Sequence, residues 1–200
     1  MKRSPSAARA ALAEAAIWLS AVSVSLLHLL PTGLNPLTDM VSEYALGRFP
    51  LLADACFLLV AAAALALAAC LRGVLPSERA TVTGIAGLTV TGLGSAALPF
   101  FLTDPESPPS SMHGKIHVAA ALVSMAALMA AIFTLAMRFR TLPRWNRLAL
   151  PSLICAVVMS ASFPLMLLQV LPGLTERILI LAGMLWIAMT SRFLRGTGAS

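Results

Sequence analysis

Six long apolar runs divide this chain, at about residues 10–30, 51–71, 81–102, 114–137, 149–171 and 176–194, with most of the charge in the short gaps and the ends. Each run is close to the roughly 20 residues a helix needs to cross hydrocarbon about 30 Å thick at about 1.5 Å rise per residue. The pattern predicts an all-α integral membrane bundle of six transmembrane helices, a single domain over residues 1–200 with too little chain left for a separate soluble domain. The first run follows Lys2, Arg3 and Arg9 as a signal peptide would, but it reaches Pro31 without a small-residue cleavage site and is read as a span.

Finer patterning marks the gaps. Asn35 and Pro36 signal a helix start and Gly47 a stop, while Leu37, Met40, Val41 and Tyr44 recur at helical spacing opposite Asp39, Ser42 and Glu43. A short interfacial helix between spans 1 and 2 is therefore expected. Leu46 falls among the polar positions, which points to partial burial of that side. Thr103 to Met112 is proline-rich and suits a rigid turn, and Thr175 is a natural cap for a sixth helix opening at Glu176. Thr83, Gly87, Thr91 and Ser95, four residues apart, form a small-residue ridge that lets a neighbouring helix approach closely in lipid. Pro164 removes a backbone donor inside the fifth run and is expected to kink it.

Composition agrees with the pattern: 59% of residues are hydrophobic and 11% charged, against about 45–50% apolar in an ordinary soluble domain. The net charge of +6 changes the picture only through its placement. Lys2, Arg3, Arg9, Arg72, Arg79, Arg138, Arg140, Arg144, Arg147, Arg192 and Arg195 fall on one side of the expected bundle, and Arg48, Lys115 and Arg177 on the other. Positive loops resist translocation, so both termini are expected in the cytoplasm and the protein in the cytoplasmic (inner) membrane. The basic residues thus serve orientation and do not imply nucleic acid. Cys56, Cys70 and Cys155 lie within apolar runs as small hydrophobes, without a disulfide or metal pattern. Trp18 and Trp145 are expected as anchors at the cytoplasmic interface.

Candidate chemistry gathers on the opposite side. His113 and His117, at i and i+4, project from one helix face as two ligands of one ion require, and His28 and Asp104 are expected at similar depth. The four are a candidate metal site for one zinc-like divalent ion; the alternative is interfacial histidines bonded to loops or headgroups. Glu43, Asp104 and Glu176 are candidate general acids or bases. Arg177 is expected to bridge to one of these carboxylates, either as a lock on the loops or to hold an anionic group of a substrate, with Tyr44 beside it. Asp54 could join either arrangement. Asp39 and Glu106 read as solvated, and Glu14 and Glu78, near basic residues, take no role.

Ser42-Glu43-Tyr44-Ala45-Leu46-Gly47, Thr103-Asp104-Pro105, His113-Gly114-Lys115-Ile116-His117 and Gly173-Leu174-Thr175-Glu176-Arg177, in that order, resemble the six-span bacterial and archaeal family catalogued as domain of unknown function 998. The resemblance covers nearly the whole chain and implies an integral membrane fold, with Glu43, Asp104, His117, Glu176 and Arg177 at characteristic positions. A looser likeness, to alkaline ceramidases and progestin and adipoQ receptors, rests on the His-x-x-x-His helix with a further His and an Asp. The chain departs from them in having six spans, its His pair on the fourth, and a different spacing from Ser25 to His28.

Three functions are compatible with these residues. The first is a membrane-embedded hydrolase acting on a lipid or apolar small molecule through a metal-activated water, with Glu43 or Glu176 moving the proton and Arg177 holding an anionic group. The second is a non-enzymatic lipid-binding, transport-associated or membrane-organising protein. The third is a metal-free isomerase or cyclase in which Asp104 or Glu43 protonates an isoprenoid-like substrate. All take membrane lipids as surroundings and leave the oligomeric state open.

Overall fold

Inside hydrocarbon a backbone has only itself to bond to, and each apolar run satisfies its amides by forming one uninterrupted helix. The computed structural model, which describes residues 5–105 and 108–197, contains six of these: Pro5–Leu29 (α1), Pro50–Val74 (α2), Arg79–Ala97 (α3), Met112–Thr141 (α4), Asn146–Leu167 (α5) and Pro172–Thr197 (α6). All six are long and apolar enough to cross a membrane. Lys2, Arg3 and Glu106 lie outside the described residues.

Successive helices run antiparallel, and each packs on its neighbour in sequence until α6 returns to α1. The result is a ring, with α2 and α4 also touching α6 across it. One end, the basic end, carries Arg72, Arg79, Arg138 and Arg140 in the last turn of α4, Arg144 in the loop and Arg147 in the first turn of α5. At the other, the histidine end, α1, α3 and α5 finish and α2, α4 and α6 begin. Ring closure sets His28, in the last turn of α1, beside the first turns of α6.

The small-residue expectation holds in part. A Cβ added to Gly87 would lie 2.7 Å from the Ala127 carbonyl oxygen and 2.9 Å from Ala131 Cβ, so α3 and α4 touch almost backbone to backbone. The Thr91 hydroxyl donates to the carbonyls of Gly87 (2.9 Å) and Ser124 (3.2 Å) across that seam. Thr83 is exposed, and Gly84 takes its place on the packed face.

At the basic end Glu78 pairs with Arg138 (2.6 Å) and Glu14 with Arg195 (2.5 Å), tying α3 to α4 and α1 to α6. Trp145 is no lipid anchor. It is buried, stacked on Phe139 at 5.0 Å and packed against Phe193 at 4.8 Å. Trp18 is 51% exposed midway along α1.

Two expected elements differ. The segment after Asn35 forms a turn and then a short 3-10 helix, Val41–Leu46, because side chains take over its backbone bonds. Asn35 Oδ1 accepts from Leu37 N (3.0 Å), Asp39 Oδ2 from Asn35 N (2.7 Å) and Glu43 Oε1 from Met40 N (3.0 Å). Its Val41, Tyr44 and Ala45 are buried, so it roofs the bundle. Helix α6 begins at Pro172, four residues before Glu176. Thr175 is already helical, and its hydroxyl bonds back to the Leu171 carbonyl at 3.1 Å where a cap was expected.

Candidate functional site

A clamp around Arg177 and an adjoining apolar cavity occupy the histidine end. His28 Nδ1 lies 2.6 Å from the Val24 carbonyl oxygen one turn back. A carbonyl only accepts, so Nδ1 carries the hydrogen and the Nε2 lone pair accepts from Arg177 Nε, also at 2.6 Å. Both ring nitrogens are thereby in use and the imidazole is neutral. Arg177 directs three of its other four N–H groups to the carbonyls of Asp39 (2.7 Å) and Gly173 (2.8 Å) and to the Tyr44 hydroxyl (3.2 Å). The buried Tyr44 ring also faces the guanidinium, 5.7 Å from its central carbon. Among the described residues no carboxylate reaches Arg177 at ion-pair distance, so the expected bridge to Glu43, Asp104 or Glu176 is not formed. The reason is local: turned-back carbonyls of the roof lie nearer than any acid.

Gly173 makes that closeness possible, since a Cβ there would lie 2.6 Å from the Asp39 carbonyl oxygen and 2.8 Å from that of Pro36. Two further bonds stitch roof to α6: Leu174 N to the Leu37 carbonyl (3.1 Å) and Val41 N to Glu176 Oε2 (2.6 Å).

Below the roof the ring encloses a cavity of about 220 Å³. Well-packed interiors have few voids larger than a water, so this one is far more space than packing normally leaves unfilled. Met40, Val41 and Ser42 close it above, and apolar side chains such as Ile17, Phe57, Leu122, Met125 and Ile180 make most of its wall. Its floor lies near Gly183, where a Cβ would meet Leu128 Cδ2 at 2.8 Å and Met159 Cε at 3.6 Å.

Among the polar residues lining it, the Thr91 and Ser124 hydroxyls are spent on helix carbonyls. Glu176 is buried and held through Oε2 by the roof. His117, 3% exposed, has Nδ1 2.6 Å from the Phe101 carbonyl, which is free because α3 ends in a 3-10 turn at Leu98–Phe100. Its Nε2 is buried without a hydrogen-bond partner. With a hydrogen fixed on Nδ1 by that carbonyl, Nε2 is left buried and unpartnered on a residue that lines the cavity.

The remaining expected site residues lie elsewhere. Asp104 accepts from the backbone N–H and hydroxyl of Ser111, both at 2.7 Å, and Ser111 Oγ in turn caps α4 by accepting from Gly114 N at 2.9 Å. A side chain at Gly114 would collide with Asp104, its Cβ 2.5 Å from the carboxyl carbon. The Ser111 hydroxyl first, and its N–H second, hold this carboxyl below the ordinary carboxylate range. His113 is exposed beside the Phe101 ring, centroids 5.6 Å apart. Glu43 stays within the roof, and Asp54 lies near the start of α2 with a buried Oδ1 that has no partner.

The four expected metal ligands His28, Asp104, His113 and His117 are thus not brought together. Among the described residues no three His, Cys, Asp or Glu side chains gather where an ion would sit. His28 has both nitrogens occupied, Asp104 belongs to the α4 cap, and His113 faces outward. The residues present do not fit a shared zinc-like ion. Sequence reasoning missed Gly173, whose only signal was its place between Pro172 and the charged pair, and Gln169, a polar residue on the cavity rim.

No curated protein and no solved structure was found to match the chain. A family profile matches residues 14–192, spanning all six helices, roof, clamp and cavity. This multi-pass membrane protein belongs to the family described as protein of unknown function (DUF998).

Proposed function

We propose that this protein binds a lipid or other apolar small molecule with one polar end inside its helix ring, the polar end meeting His117 and Glu176. The observation that carries the reading is the His117 Nε2 lone pair, buried and unpartnered in an apolar cavity. A buried acceptor left unmade costs about 1–3 kcal/mol, and a ligand donor removes that cost. The distribution of Lys and Arg supports both termini in the cytoplasm, as in a bacterial inner membrane, with the cavity in the far leaflet.

Equilibrium binding of a fluorescent long-chain alcohol to purified protein in detergent tests this. Ala121→Trp, which fills the cavity from a half-buried wall position, should abolish binding with the helical signal unchanged. Unchanged binding in that variant overturns the reading.

A second reading, that the bound molecule is also hydrolysed, is favoured by one observation: a free imidazole lone pair and a carboxyl group line the same cavity. There His117 Nε2 takes a proton from water as it adds to an ester carbonyl, and Glu176 delivers one to the departing alkoxide. Asp104 and Glu43 are not among the residues lining the cavity, so Glu176 is the carboxyl suited to this role. Turnover of a long-chain ester that is lost in His117→Asn supports hydrolysis; binding without turnover leaves the first reading alone.

A further inference from the structure

The cavity wall is not equally closed all round. Of its lining residues, Leu167 (50% exposed) and Gln169 are the exposed ones, and both lie at the end of α5. Facing them on α4 are Val118, Ala121, Leu122 and Met125, each half-buried. Helix α4 lines the cavity from His117 to Leu128, whereas α5 contributes only Met166 and Leu167. At the floor a Cβ on Gly183 would meet both Leu128 of α4 and Met159 of α5, and toward the histidine end α5 reaches the cavity only through Met166 and Leu167. The roof, meanwhile, is tied to α6 through Val41, Asp39 and Leu37. The roof is stitched to α6 by hydrogen bonds, whereas the exposed part of the lining lies at the end of α5.

Resting on the binding reading above, we propose that the ligand is a long-chain amphiphile with a hydroxyl or N–H donor at its head, loaded sideways from the bilayer between α4 and the end of α5. The chain passes over Leu122 and Leu167, and the head donates its hydrogen to His117 Nε2. An unoccupied lone pair in an apolar wall selects for a donor: an ether or hydrocarbon of equal length leaves it unmade. A lateral opening suits a molecule whose free concentration in water is negligible and whose reservoir is the membrane itself.

The test uses the full chain in phosphatidylcholine vesicles, a photoreactive long-chain alcohol, and its methyl ether as the donor-free control. Labelling is expected on residues between His117 and Leu128, with the alcohol bound about tenfold more tightly than the ether. His117→Asn keeps a donor for the Phe101 carbonyl and removes Nε2, and should equalise the two probes. Leu122→Trp and Leu167→Trp, at a half-buried and an exposed position between α4 and the end of α5, should slow the labelling time course by about tenfold or more.

Equal affinity for alcohol and ether in the unaltered protein overturns the donor requirement. Unslowed loading in both tryptophan variants overturns the lateral route while leaving the binding reading intact. Failure of both probes to label the cavity at all removes the binding reading and this inference with it.

Discussion

Arg177 Nε donates to His28 Nε2 across 2.6 Å, so the last turn of α1 and the second turn of α6 meet through a charged donor and a neutral imidazole. The bond bears on the whole histidine end, because the same guanidinium holds the roof through the Asp39 carbonyl and Tyr44. A double-mutant cycle with His28→Ala and Arg177→Ala should show a coupling of about 1–2 kcal/mol, between the value for charged donors and the lower values measured between membrane helices. Reversible unfolding in mixed micelles measures it. Arg177→Lys should behave nearly as Arg177→Ala does, since an ammonium on a flexible stem cannot reach all four acceptors at once; additive single effects would show that the bond carries no energy.

Gly173 and Gly73 make a matched pair. At Gly173 an added methyl meets backbone oxygens of the roof at 2.6 and 2.8 Å, whereas at Gly73, near the end of α2, nothing lies within 4 Å. Gly173→Ala should therefore destabilise by about 1–3 kcal/mol and expose the roof to protease. Gly73→Ala should stabilise by roughly 0.5–1 kcal/mol through helix propensity alone. Equal effects at the two sites would mean that the close approach at Gly173 is not needed.

The spans were legible because lipid imposes their length, and the charged ends because a helix cannot carry them through hydrocarbon. The start of α6 was not: Pro172 opens the helix within what reads as a Pro-Gly turn, so Arg177 stands in its second turn, within reach of His28 at the end of α1. The i, i+4 histidines correctly share a helix, yet spacing says nothing of what the ring nitrogens bond. His117 turns to a carbonyl freed by the 3-10 end of α3, while His113, one turn nearer the end, has passed beyond the bundle. His28 meets Arg177 only because α6 closes the ring on α1, a contact spanning 149 residues that no local pattern encodes.

Asp104 and His113 are expected to be dispensable for ligand binding. Asp104→Asn and His113→Ala should bind the long-chain alcohol within about twofold of the unaltered protein, well under the tenfold that one good hydrogen bond supplies. His117→Asn and Glu176→Gln should each weaken it. A parallel loss in all four would restore a shared centre.

Asp104 also has a pH signature. Its carboxyl is held below the ordinary value of 3.8 by the two Ser111 bonds, so its capping contribution is complete above that value and is lost only as pH falls through the lower folded one. Amide exchange at Ser111, corrected for its intrinsic pH dependence, should stay protected down to about pH 4 and lose protection below it. Asp104→Asn should remove the transition; loss of protection already between pH 5 and 6 would contradict the cap.

Gln169 and Leu171 have φ of 58° and 46°, left-handed conformations that cost a side-chain-bearing residue about 1 kcal/mol each. The bonds from Gln169 N to the Met166 carbonyl (3.1 Å) and from Val170 N to the Leu165 carbonyl (2.9 Å) show why the turn accepts this: together they close α5 with paired reverse bonds that need a left-handed residue at position 169. Glycine is the residue suited to that position, so Gln169→Gly should stabilise the fold by roughly 1 kcal/mol if local backbone preference is all that matters there. The glutamine, however, stands on the cavity rim, and its side-chain amide is spent only on a long 3.3 Å bond to the Met166 carbonyl. A polar side chain kept at a strained position beside an opening is expected to serve the ligand. Gln169→Gly should then raise the unfolding midpoint while weakening or slowing capture of the long-chain alcohol, and Leu171→Gly should raise the midpoint with no change in capture. If both variants stabilise and neither alters capture, the turn is only a helix stop and the rim ends at Leu167.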